Sequence, residues 1–435
     1  MPSNTIQALL NAFKIPDLRQ KLLYTLGLLV VFRFIAHVPV PGVNLAALER
    51  LFTDNQFIGF LNLFSGGALA SFSIAAMGVY PYITASIIMQ LLVPVIPRLQ
   101  EISKEGESGR NRINQFTNFL TVPLAVAQAY GTPQLLNASS SEPIIRDFGF
   151  AVNPLGTISI LLTMTAGTML LIWIGELITQ YGIGNGISMI IFGGIVASLP
   201  SQIGQAVVSG TSFASVLIFV VLAIVTVASI VLIYEGQRRI PVQVARRIRG
   251  SRMVGGQTTH IPLKVNSAGM IPLIFASSIL IFPGTIAGYF LGVENEWGRW
   301  FAETVYNFFN LQYSWGYWIL YFWLVVAFTF FYTLVIFQQQ NIAENLQKQG
   351  GFIPGIRPGP KTAEYLYKVL MRITLIGALF LGIIAILPFL VRTVTGVQTL
   401  SLEATALLIV VGVGLDTMRQ LESQLLMRHY RGFIK

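Results

Sequence analysis

The chain has no cysteine among its 435 residues, which excludes a disulfide framework, thiolate chemistry and any cysteine-ligated metal. Histidine is nearly as scarce. His37, His260 and His429 are too scattered to form a cluster and read as interfacial or loop residues. Charge is the third shortage: 11% of residues are charged against 54% hydrophobic, with a mean hydropathy of +0.68. That leaves far too little polar surface to cover a soluble globule of this length, so the composition indicates a polytopic membrane protein. No cleavable signal peptide is expected from the first residues. The first residues read as a short amphipathic helix, with Ile6, Leu9, Leu10 and Phe13 at helical spacing before Lys14, Arg19 and Lys21. The first long apolar stretch is therefore expected to act as the targeting signal and stay.

The apolar stretches lack ionisable residues in their interiors. A charge there costs about 2.5 to 3.5 kcal/mol on the gentlest scale and usually marks ion or proton coupling. Arg33 lies past the middle of the first stretch and is expected to reach outward along the interface; Glu176 and Asp416 lie near stretch ends and read as solvated or capping carboxylates. GVGLD ending at Asp416 is one residue off the Gly-x-Gly-Asp pattern of intramembrane aspartyl proteases, and no second stretch carries a partner carboxylate. GIGNGIS at Gly182 to Ser188 follows no strand and fails as a nucleotide loop. It reads as a flexible lead into the fifth span. These absences argue against an enzyme and against any cofactor.

Ten candidate spans are present: Leu22 to Val40, Ile74 to Val95, Phe116 to Leu136, Leu155 to Ile178, Ile187 to Val208, Ala214 to Tyr234, Ala268 to Leu291, Tyr317 to Phe337, Ile373 to Val391 and Ala404 to Met418. An even count puts both termini on one side. With that side cytoplasmic, 23 of the 28 Lys and Arg fall inside and only Arg50, Arg146, Arg299 and Arg392 outside, as the positive-inside rule requires. The expected organisation is a cytoplasmic amphipathic N-terminus (1–21), a first half (22–208), a second half (214–418) and a cytoplasmic tail (419–435).

Two segments 191 residues apart nearly repeat: GVYPYITASII from Gly78 to Ile88 and GMIPLIFASSI from Gly269 to Ile279 share six of eleven positions without a gap. Each carries a Gly-x-x-Pro breaker at the start of an apolar stretch, so each is expected to be a membrane helix interrupted where it enters the bilayer. Five spans per half is odd, so two halves of like fold must cross the membrane in opposite senses. The repeat then relates spans 2 and 7 by an axis in the membrane plane. That arrangement brings Ile83 and Ile274 to equivalent depths. Ile87 follows Ile83 on one helical face, and Ile187 and Ile191 share the same four-residue spacing on span 5. Stiff, uncharged side chains at a narrow waist exclude ions by excluding water. Isoleucines in membrane helices otherwise face lipid, and it is the repeat that turns these inward.

The loops are also informative. Between spans 1 and 2, the segment at about 59–73 (GFLNLFSGGALASFS) is apolar, too short to cross and hinged by Gly66 and Gly67. It reads either as a short helix re-entering a funnel to stop it, or as an interfacial segment. The loop at about 235–265 carries seven Lys/Arg against one acid, and RIPVQV and TTHIPL around Gly255 and Gly256 suggest a projecting hairpin. In the loop at about 338–370, Arg357 sits on a Gly/Pro-flanked turn. Such arginines suit a phosphate backbone or an acidic protein surface equally.

PYITASIIMQLL, KEGESGRNRINQFT, GIGNGIS, EGQRRIPVQ, THIPLKVNSAGMIP, FASS and PGIRPG, spread from the first span to the last, resemble the bacterial branch of the SecY family, the large subunit of protein-conducting channels. The resemblance implies an all-α polytopic membrane protein of ten helices in two inverted halves around an hourglass pore, in the bacterial plasma membrane. It implies a pore ring at Ile83, Ile87, Ile187, Ile191, Ile274 and Ile409, and a plug around Asn62, Phe64, Gly66 and Gly67. It implies a lateral gate, where spans 2 and 3 meet spans 7 and 8, with polar positions Thr84, Ser86, Gln90, Ser277 and Ser278. Arg246, Arg247, Arg249, Arg252 and Arg357 match positions that dock the ribosome or the motor ATPase SecA. SecE as clamp, SecG as accessory, signal sequences of preproteins and membrane lipid are the other implied partners. The rival reading from the residues alone, a secondary transporter, requires polar ligands at the midplane.

Overall fold

A computed structural model describes residues 15–54, 62, 65–140, 142–208, 213–244, 247–249, 252–254, 258–290, 296–309, 315–395 and 403–431. The amphipathic segment read at Ile6 to Phe13 lies outside the described residues, as do Phe64, Arg246, Gly255 and Gly256.

The first helix, α1 (Pro16–Ile35), has proline in its first turn, where the N–H is not needed, and Asp17 at the positive end of the helix dipole. Then come α2 (Leu45–Asp54) and, beyond the compact turns at 65–79, α3 (Tyr80–Leu92), α4 (Pro97–Lys104), α5 (Glu107–Ser139) and α6 (Pro154–Tyr181). Asn153 caps α6, its Oδ1 accepting the Gly156 N–H at 3.0 Å ahead of a first-turn proline. Next are α7 (Gly186–Val208), α8 (Phe213–Glu235), and strands β1 (Gln237–Val244), β2 (Arg247–Arg249), β3 (Arg252–Val254) and β4 (Thr258–Lys264). The chain continues through α9 (Ile271–Phe290), α10 (Glu296–Phe309), α11 (Trp315–Gln340), α12 (Ile342–Lys348), β5 (Gly351–Phe352), α13 (Pro360–Thr395) and α14 (Glu403–Arg431).

Each of the ten apolar stretches read from the sequence carries a helix. By length and apolarity, three helical stretches among the described residues can cross a membrane unaided: α6, Trp315–Lys348 containing α11, and Pro360–Leu387 of α13. A fourth is the pair α3 and α4, bent by 100° where proline opens α4.

Four expectations need correction. The helix in the second stretch has only 13 residues, about 20 Å at 1.5 Å per residue, because 74–79 runs as turns rather than helix. Pro81 and Pro272 sit in the first turns of α3 and α9, so they start these helices rather than break them. The molecule is not purely α: β1 pairs antiparallel with β4 and with β5 in a three-stranded sheet, and β2 with β3 in a two-stranded one. Finally, the ends of two spans move: α13 takes in the end of the 338–370 loop, and α14 continues through most of the 419–435 tail. The hairpin read from RIPVQV and TTHIPL is present as β1 paired with β4, while Gly255 and Gly256 lie outside the described residues.

One apolar core draws residues from α1, α3, α5, α6, α7, α8, α9, α11, α13 and α14, and therefore from both halves of the chain. A second core, including Ile240, Val242, Leu263, Ile353 and Leu366, joins the three-stranded sheet to the start of α13.

Candidate functional site

Glycine sets the geometry of the repeat. Gly78 has φ +56° and Gly269 has φ +66°, a left-handed conformation that residues with a Cβ avoid. In each copy the helix begins two residues later, at Tyr80 and at Ile271. The two segments thus share a backbone event as well as letters. The consequence is that Ile83 and Ile274 occupy the same place in the first turns of α3 and α9.

The six ring candidates share one apolar core. Ile83, Ile87, Ile191, Ile274 and Ile409 are buried in it, and the half-buried Ile187 packs against it. They come from four helices, α3, α7, α9 and α14, two from each half. None of these side chains carries a hydrogen-bonding group.

The segment at 65–73 enters the same core through Ala68, Leu69 and Phe72. Its turns fold on themselves: Asn62 accepts the Gly67 N–H through its main-chain oxygen (2.9 Å) and the Ala70 N–H through Oδ1 (2.9 Å), and Ser65 Oγ accepts the Leu69 N–H (3.0 Å). Gly66, at φ +69°, touches the backbone of Gly194 on α7 so closely that a Cβ on Gly194 would collide with it. Arg33 departs from expectation. It points inward, its Nη1 donating to the Gly66 carbonyl at 2.8 Å. The sequence signal was present, a single cation within an apolar span, but its direction depends on where the 65–73 segment comes to rest.

The gate-facing candidates bond mostly within their own helices. Thr84 Oγ1 donates to Tyr80 O at 3.1 Å, Ser277 Oγ to Ile274 O at 2.8 Å, and Gln90 Nε2 to Ser86 Oγ at 3.1 Å. Gln90 Oε1 and Ser278 Oγ are buried with no hydrogen-bond partner among the described residues. The bond across the seam comes from Tyr80, which the sequence reading did not single out: its hydroxyl donates to the Ser278 carbonyl at 3.2 Å, tying α3 to α9. α9 also packs on α5 and α11.

The basic loops form one body. β5 adds to β1 through Gln243 with Phe352 and Val244 with Gly351, so the strand before Arg357 belongs to the sheet that carries the arginine hairpin. Arg247, Arg249 and Arg252 lie on β2 and β3. Arg357 is exposed between Gly355 (φ +81°) and Gly359 (φ +100°), its carbonyl accepting from Thr362 Oγ1 at 2.9 Å. At the base of the hairpin, Arg419 of α14 donates through Nη2 to Tyr234 O (2.6 Å) and Glu235 Oε1 (2.9 Å). Partial burial, helped by Arg419, pulls the neighbouring Lys264 ammonium below its ordinary range, with Asp416 and Glu235 opposing.

GIGNGIS is fixed rather than loose. The N–H groups of Ile183, Gly184 and Gly186 donate to Thr25 Oγ1 (3.1 Å), Gln420 Oε1 (2.9 Å) and Thr179 Oγ1 (2.9 Å). Glu176 accepts from Asn118 Nδ2 at 2.8 Å, and Asp416 lies 3.8 Å from Arg419.

Comparison with known proteins gives a consistent result. The sequence pattern of the SecY family matches residues 73–418. A protein translocase subunit SecY of Halalkalibacterium halodurans is 46% identical over 98% of this chain and 99% of its own length. Another, from Thermotoga maritima, is 44% identical over 99% and 98%. Among solved structures, a protein-conducting channel superposes with a TM-score of 0.61 at 16% identity, covering 95% of this chain and 96% of its own. A second, a SecY protein whose plug domain is described as stabilising the closed state of its channel and maintaining a membrane seal, gives 0.63 at 17% identity over the same shares. A third, Sec61 in a canine ribosome–channel complex, gives 0.58 at 16% over the same shares.

Proposed function

Because this chain belongs to the SecY family, we propose that it is the protein-conducting channel of a bacterial plasma membrane, with the six isoleucines as the seal of its waist. It is a translocase subunit and not an enzyme. Ten spans in two inverted halves, both termini cytoplasmic, enclose the path for an unfolded preprotein. The supporting observation is that Ile83, Ile87, Ile191, Ile274 and Ile409, from both halves of the chain, lie buried in one apolar core against which Ile187 packs. An apolar waist closes to water and ions, yet gives a passing chain no charge to stick to.

At rest, the segment around Asn62, Gly66 and Gly67 is the plug above that waist; Phe64 belongs to the same segment. The lateral gate is the seam of α3 and α5 against α9 and α11, with Thr84, Ser86, Gln90, Ser277 and Ser278 along it. A signal sequence parts this seam, and an apolar segment then leaves sideways into lipid because its transfer from water to hydrocarbon is favourable. Polar chain continues outward. The buried Ser278 Oγ and Gln90 Oε1, without a hydrogen-bond partner among the described residues, favour a seam that opens, since buried polar atoms normally find a partner.

Arg246 and the sheet-borne Arg247, Arg249 and Arg252, together with Arg357, dock the cytosolic partner. That partner is the ribosome or SecA, and it supplies the push that a channel cannot. SecE clamps the halves and SecG assists. The secondary-transporter reading is disfavoured because these six side chains in the shared core are apolar.

Resting conductance in planar bilayers tests the seal. Ile83→Asp, Ile274→Asp, or deletion of residues 59–70 is expected to raise it above the parent level. Unchanged conductance in all three variants overturns the seal, and solute-coupled flux would favour the transporter.

A further inference from the structure

We propose that Arg33 is the latch that holds the plug at rest, through its hydrogen bond to the Gly66 carbonyl. The inference rests on the plug reading of residues 65–73 and adds to it a named restraint on that segment.

The segment is restrained differently at its two ends. At 71–74 it is sewn to the stretch after α1: Ser71 Oγ donates to Ala36 O at 2.7 Å, Val40 N–H to Phe72 O at 2.9 Å and Ile74 N–H to Val38 O at 3.0 Å. Pro39 and Ser73 form a β-bridge there. Several main-chain bonds in a short stretch make that end a fixed hinge. Asn62 and residues 65–70 are knotted by bonds among themselves, so they move as one body. At the far tip, the bond to a neighbouring element is the one from Arg33 to Gly66. The rest of the tip contact is steric: Gly66 fits between Phe32 and Gly194, where a Cβ would lie 2.9 Å from Phe32 Cζ and 3.3 Å from Gly194 Cα.

Steric fit resists compression and does not resist withdrawal. A charge-assisted hydrogen bond resists withdrawal, and it is directional. The guanidinium is suited to the task because it stays charged and offers five donors in a fixed fork. Among the described residues no carboxylate forms an ion pair with it, so its hydrogen-bonding capacity is turned to the plug. Release requires only that water or the main chain of an incoming polypeptide replace one carbonyl, a near-even exchange in an opening pore. The plug then swings about 71–74 without unfolding.

The absence of native cysteine makes the test direct. Leu69, buried in the knot, is replaced by cysteine in the full chain in proteoliposomes, and the rate of its modification by N-ethylmaleimide is measured at rest. Arg33→Met, which keeps length but removes every donor, is expected to raise that rate about tenfold, the lower end of what a charged hydrogen bond supplies. Arg33→Lys, which retains one charged donor, is expected to fall between the two. A cysteine at the buried Leu366 of the cytosolic core reports global loosening and is expected not to respond. The latch is overturned by an unchanged rate in Arg33→Met, or by equal rises at both cysteines. If deletion of residues 59–70 leaves conductance unchanged while Arg33→Met still frees Leu69→Cys, the plug reading fails and the tether stands.

Discussion

Gly78 and Gly269 show how much one residue type can specify. Both stand at positive φ just ahead of a helix that starts two residues on, so the sequence near-repeat could be read as a repeated backbone shape before any fold was known. Alanine at either site places a Cβ in left-handed space, at a cost of about 1 to 2 kcal/mol. Gly78→Ala and Gly269→Ala are therefore expected to lower the thermal midpoint by similar amounts. Gly27→Ala, within α1 and with open space around it, is expected to be tolerated; a large drop there, or none at the repeat glycines, contradicts the assignment. Arg33 is the opposite case. It stood out as a cation within an apolar span and was expected to reach outward; the direction of its side chain was illegible because the acceptor lies 33 residues away on a segment held by turns. Tyr80 was missed for the same reason: its hydroxyl acts across a seam that sequence spacing does not describe.

At the scale of elements, hydropathy located every helix of the ten apolar stretches and misjudged several ends. It reports where lipid would accept the chain, whereas helix ends are set by prolines, caps and packing. α3 is shortened because the turns at 74–79 replace its first part, and α13 is lengthened because Pro360 starts a helix well before the apolar stretch. The hairpin was legible from alternation, but its union with β5 was not, since a two-residue strand leaves no periodic trace. That union carries a prediction. Ile240 is buried beneath the sheet, and Ile240→Ala should cost about 2 to 5 kcal/mol of local packing. The expected outcome is faster trypsin cleavage in residues 235–265 and weaker docking of the cytosolic partner, although no arginine has changed. Cleavage at the parent rate would show that the two loops act independently.

At the scale of the whole molecule, the two halves share one apolar core, to which the first brings Ile83, Ile87, Ile187 and Ile191 and the second Ile274 and Ile409. The shared backbone turn at Gly78 and Gly269 was legible from the repeat. The close seat of the 65–73 segment on α7 was not, because it depends on Gly66 meeting Gly194 across 128 positions of sequence. The central claim is that a polypeptide threads between these isoleucines. It is tested most directly by disulfide capture, which the cysteine-free chain permits without background. Single cysteines at Ile83, Ile191, Ile274 and Ile409 face an arrested preprotein carrying one cysteine, with Leu217→Cys on the exposed surface of α8 as the reference. The account predicts cross-links at all four isoleucine positions and none at Leu217; a preprotein that arrests yet links to none of the four would contradict it.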